Sequence, residues 1–174
     1  VDIRFHGNGF IQVYLNSVTR LHIWSPKFPA TRVVNAQIHD HRFWFKSQVV
    51  VGVLHHKTYQ VSLDDLGTHG LYKTHGHSKV APLERVGRCD VVQSALDVYG
   101  PGDEYDFGGP GVYHETNANH LAVSIMTKVK TDPTYFAHVV ALHDQKPDHA
   151  FEHQPDEEDM KEEVRRVLPM IVGA

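Results

Sequence analysis

Apolar and polar residues alternate with a period of two through most of the first 142 positions, the pattern of strands with one buried face. "FIQVYL" (10–15) predicts a strand, "NS" a turn, and "TRLHIW" (19–24) the hairpin partner. "SPKFPATR" carries two prolines and predicts a loop. "VNAQIHDHRFWF", "QVVVGVLHH" and "KTYQV" follow, rich in the β-branched and aromatic residues that suit a pleated surface. Residues 63 to 80 hold three glycines and little apolar content, so a long excursion with a short hairpin outside the core is expected there. Strand character resumes over 88–99, in "EYDF", in "VYHET" and "LAVSIMTKV", and last in "YFAHVVAL" (135–142), with "GPGD" and "GGPG" as turns.

From residue 144 the pattern changes to a polar stretch and then a helix. Pro155 and Asp156 suit its start, and Glu157, Glu158 and Asp159 suit the positive end of its dipole. Met160, Val164, Val167 and Leu168 fall on one stripe, and Pro169 is expected to stop the run. The organisation expected is a β-barrel or sandwich over 1–143, with a linker and a covering helix over 144–174.

Composition narrows the picture. At 174 residues the chain suits one domain, and 41% hydrophobic with 22% charged residues is ordinary for a globular protein. A net charge of −4 gives no electrostatic case for nucleic acid or an anionic membrane as partner. No apolar run approaches the roughly 20 residues that span a bilayer, and no signal-peptide pattern opens the chain, so the cytoplasm is the expected location. Cys89 is the single cysteine, which excludes an internal disulfide and an all-cysteine metal site. Histidine is the unusual component, with fifteen copies.

Two of these stand in "IHDHRFWFK" (38–46). On a strand His39 and His41 share a face with Phe43 and Phe45, while Asp40, Arg42 and Trp44 take the other. Such a pair alone fits structural histidines. Two imidazoles hold an ion weakly, so a metal site needs a third group from a neighbouring strand. His114 is the best candidate: it ends "PGDEYDFGGPGVYH", where glycines turn a short strand back antiparallel. Burying adjacent imidazoles is costly, and coordination relieves that cost.

The pair "HDH" followed by "VVVG", then "PGD…PGVYH…N", resembles the two signature motifs of the cupin superfamily. The resemblance implies a double-stranded β-helix, the cupin jelly-roll barrel, with a C-terminal α-helix added, and a divalent metal inside held by His39, His41 and His114. Many cupins add a glutamate four or five residues after the second histidine; Phe45 and Lys46 stand there, which leaves a three-histidine site. Together with "RLHIWSP" and "HETNANHLAVSIMTK", this is similar to the cysteine and thiol dioxygenase branch, over roughly residues 19–54 and 98–128. That branch implies Fe(II) and a small thiol or anionic metabolite as substrate, with zinc or nickel as alternative metals. Its His-x-Tyr pair, aligned through Ser124, is replaced by Met126 and Lys128, and the crosslinking cysteine position is Lys46, which argues against cysteine itself. The resemblance also implies a homodimer. A metal-containing cupin that binds a small molecule or partner without redox chemistry is the alternative, and a zinc or nickel hydrolase or isomerase a third.

Candidate substrate contacts are Phe43, Tyr105, Met126, Lys128 and Arg20, with Tyr113 and Gln37 as further lining candidates. For Arg20 the preferred arrangement is a surface position with Leu21 and Ile23 inward; the opposite facing would let its planar fork pair a substrate carboxylate. His75 and His77 are expected to be solvated loop residues, one at most of His55 and His56 to face inward, and His138, His143, His149 and His153 to lie at the surface.

Overall fold

Strands form where the alternation is strongest, and their order closes two sheets over one another. The computed structural model describes residues 1–31, 37–75, 82–143 and 145–172. Eleven strands and one helix follow in chain order: β1 Asp2–His6, β2 Phe10–Tyr14, β3 Thr19–Trp24, β4 Phe43–Val51, β5 Leu54–Leu63, β6 His69–Thr74, β7 Leu83–Tyr99, β8 Glu104–Gly108, β9 Tyr113–Asn117, β10 Ala122–Thr131, β11 His138–Leu142 and α1 Glu157–Val172. One sheet runs β1-β2-β3-β10-β4-β8, the other β11-β6-β7-β5-β9. Every pairing between these strands is antiparallel. Successive strands cross repeatedly between sheets, β4 to β5 and β8 to β9 to β10, which is the winding of a jelly roll. The expected all-β fold with a terminal helix is what the chain adopts.

The six-stranded sheet is covered on both faces. Phe5, Ile11, Val13, Leu21, Ile23 and Val123 pack under Met160, Val164 and Val167 of α1. Asp156 opens that helix by accepting from the backbone N–H groups of Glu158 and Asp159. The opposite face, with Phe10, Trp24, Val49 and Ala122, looks between the sheets.

Around His39 the five-stranded sheet closes on itself. The His39 backbone exchanges hydrogen bonds with His114 of β9 at 3.0 and 2.9 Å. On its other side Asp40 N–H donates to His138 O and Val140 N–H to Ile38 O. The segment thus sits between β9 and β11 and joins the sheet's two ends. Inside this ring lies a second core of Ile38, Leu71, Cys89, Tyr113 and Val140.

Four expectations need correction. β1 had no counterpart in the alternation reading. The 63–80 stretch contributes β6, whose Leu71 and Tyr72 are buried and belong to a core, while Leu63 and Leu66 stay exposed as expected. α1 passes through Pro169 to Val172, because a proline this near the end costs few backbone bonds. Leu168, placed on the buried stripe, is 41% exposed, and Glu163 is buried in its stead.

Candidate metal centre

The wall between the two compartments is built from β9 and residues 38–41, and alternation decides what each side sees. Ile38 and Tyr113 face the second core, whereas His39, His41 and His114 face the space between the sheets. Gly108 and Gly109 make the turn that delivers β9. Both have positive φ, 99° and 100°, and a Cβ on either would meet Phe43 O or the Trp44 ring at 2.5 Å.

Each histidine offers one ring nitrogen, and these lie within 4.8 Å of one another. His41 Nε2 and His114 Nε2 are 2.8 Å apart. Two nitrogens each about 2.1 Å from one ion, at a right angle, stand about 3 Å apart, so the pair has the spacing of adjacent ligands. His39 Nδ1 lies 2.7 Å from Gln37 O. Donation there fixes the tautomer with its Nε2 as the acceptor nitrogen, the usual way a ligand imidazole is oriented. Burial holds the His41 and His114 rings well below their ordinary value of 6.5, and the neighbouring His39 adds to the effect. Both are neutral at pH 7, as ligation requires. Three neutral imidazoles suit Fe(II), zinc or nickel.

Asp40, between the first two histidines, is buried and accepts from Gly111 N–H at 2.9 Å, His138 N–H at 2.6 Å and the Tyr135 hydroxyl. It ties the segment bearing His39 and His41 to the turn before His114 and to the start of β11.

The imidazoles open on a cavity of about 210 Å³. Phe43, Tyr105, Met126 and Arg20 line it, while Lys128 does not and instead sets its ammonium 4.9 Å over the Phe43 ring. Arg20 is a correction to the preferred arrangement. Leu21 and Ile23 do point inward, but toward α1, and since the sheet is covered on both faces Arg20, His22 and Trp24 are enclosed too. Tyr113 lies in the second core instead. Gln37 is absent from the cavity lining; its carbonyl faces His39.

His6 and His22, which line the cavity, were not among the expected site residues, whereas one inward ring from the His55–His56 pair was allowed for. His22 lines the cavity, and burial holds it well below 6.5. His56, the inward member of its pair, packs 4.9 Å from His114 and shares a 2.9 Å hydrogen bond with Thr116. The i, i+2 spacing of His22 with Trp24 and of His56 with Thr58 marks which side of a strand each takes, not which side is polar.

His75 is exposed and paired with Glu84, and His77 lies outside the described residues. His153 is exposed, whereas His138 is largely buried, with Nδ1 2.9 Å from the Tyr135 hydroxyl. Partly buried His149 belongs to an outer cleft rather than the open surface. Among the described residues no helix is long and apolar enough to cross a membrane.

No family model matches the chain, and no curated protein matches it in sequence. Among solved structures it is similar to hydroquinone 1,2-dioxygenase from Sphingomonas sp. TTNP3 with 4-hydroxybenzoate bound, at 11% identity and TM-score 0.36, over 67% of this chain and 62% of that one. It is likewise similar to a hydroquinone 1,2-dioxygenase in complex with Cd2+ and 4-hydroxybenzonitrile, at 13% identity and TM-score 0.38, over 68% of this chain and 62% of that one. The chain thus spans less than two thirds of either neighbour, and likenesses this low bear on neither substrate nor reaction.

Proposed function

We propose that this protein is a metal-dependent cupin enzyme, a mononuclear non-haem iron(II) dioxygenase of the thiol dioxygenase type acting on a small thiol or anionic metabolite. The observation that carries the reading is the convergence of His39, His41 and His114 on one cavity, with ring nitrogens in ligand-like spacing. Bound there, iron(II) would supply the redox partner that dioxygen chemistry needs. The chain's own part is to hold three imidazoles, two of them kept neutral by burial, with Asp40 fixing the segments that carry them. Phe43, Phe45 and Met126 exclude water from the cavity, and Tyr105 brings a phenol to its wall. Burial raises the Tyr105 phenol above its ordinary value, so it stays protonated and serves as a donor.

One observation favours a second reading, metal-dependent binding without redox chemistry: Met126 and Lys128 stand where an acid–base pair would be needed. Oxygen uptake separates the two. Protein loaded anaerobically with iron(II) should bind one ion per chain and consume oxygen with at least one member of a thiol panel. His114→Ala should lose both. Full iron occupancy without uptake across the panel would remove the dioxygenase reading, and failure to bind any metal would remove both.

A further inference from the structure

A second cleft, of about 290 Å³, continues from the inner cavity and shares Arg20, His39, His41 and Phe43 with it. Arg20 stands at the junction. It is 8% exposed; among the described residues its Nε has no partner and its one side-chain hydrogen bond goes to the Tyr14 hydroxyl at a long 3.4 Å. A buried guanidinium is normally matched by a carboxylate, because desolvating an unpaired cation is costly. Among the described residues no carboxylate lines the inner cavity. The outer cleft has Asp40 alone, and its oxygens already accept from Gly111, Tyr135 and His138.

Other charges at the junction have the same sign. Arg42 lines the outer cleft and forms no ion pair with any described residue. Lys128 lies over the Phe43 ring, and burial, then Arg20 and Arg42, pulls its ammonium below the ordinary value. Arg20 itself is 5.5 Å from the Phe43 ring centre. Two cations thus lie against one aromatic ring beside the imidazoles, a third lines the adjoining cleft, and the one carboxylate lining either space among the described residues, Asp40, is already engaged.

Building on the iron-enzyme reading, we propose that Arg20 seats an oxyanion group, carboxylate or phosphate, of a substrate that reaches from the outer cleft to the three imidazoles. Arg42 draws that anion in from the outer side. The guanidinium fork accepts either anion in a two-point contact. The aromatic lining of Phe10, Trp24, Phe43 and Phe45 takes the remaining apolar part. Its size is bounded by the cavity: at about 30 Å³ per displaced water, 210 Å³ corresponds to roughly seven waters.

Calorimetry with metal-free and zinc-loaded protein tests this, using phenylacetate, phenyl phosphate and the uncharged 2-phenylethanol as probes. One anion should bind at least tenfold more tightly than the alcohol in both forms, and the tighter of the two identifies the oxyanion. Arg20→Gln should abolish that preference with zinc content unchanged. Should Arg20→Gln not fold, Arg20→Lys, which keeps the charge and loses the fork, should retain the preference at reduced affinity. Arg42→Gln should weaken the anion by two- to fivefold, more at low salt. Equal binding of anion and alcohol, no anion binding, or a preference that survives Arg20→Gln would overturn the proposal. Anion selectivity in a protein that takes no metal would sink the iron reading and leave this one standing; zinc binding without selectivity would do the reverse.

Discussion

Single residues decide what the alternating chain becomes at the site. Asp40 is the clearest case: its carboxylate takes three donors from two other chain segments and so fixes where His39 and His41 stand relative to His114. Asp40→Asn turns one acceptor into a donor facing donors. Metal affinity should fall by about 10–100-fold although every ligand remains, read by competition with a chelator; unchanged affinity would mean the clip is dispensable. The three clustered histidines were legible because two stand at strand spacing and the third follows a glycine turn. The enclosed position of Arg20 and His22 was not. Their strand alternates as a half-exposed strand does, and nothing local reveals that α1 covers one face and β9 closes the space over the other.

At the scale of elements, α1 is held by its apolar stripe against the outer face of the six-stranded sheet. Met160 is 3% exposed and touches the cluster containing Phe5, Ile11 and Val13. Met160→Ala should cost about 2–5 kcal/mol, measured by urea unfolding, with metal content per folded chain unaltered. A variant that loses metal in proportion to stability would show instead that the helix shapes the site. β3 was read at the bounds it takes, 19–24, because alternation and a turn frame it. β6 belongs to the short hairpin expected there, and its burial was hidden for a compositional reason: glycines and polar residues surround Leu71 and Tyr72, and only pairing with β7 and β11 buries them. The helix end was misplaced because Pro169 was weighed as a breaker without regard to how few residues follow it.

For the whole molecule, the enclosed imidazoles couple stability to pH. His22, His41 and His114 are held well below their ordinary value and His56 is lowered to about 4, in each case chiefly by burial. Below pH 6.5 the unfolded chain takes up protons that the folded chain refuses, so stability falls with pH. The contribution is complete above about 6.5 and is lost as the pH drops toward 4 and below. The urea midpoint of the metal-free protein should hold steady above about pH 7 and decline steadily toward about pH 4.5; a flat profile would contradict the burial of these rings.

The seam at His39 has a consequence of its own. Because the short segment 38–40 hydrogen-bonds β9 on one side and β11 on the other, the small barrel cannot breathe there without parting the imidazoles. Whatever bridges those rings acts as a rivet, and stiffness gained in the cavity is shared by a compartment the occupant never enters.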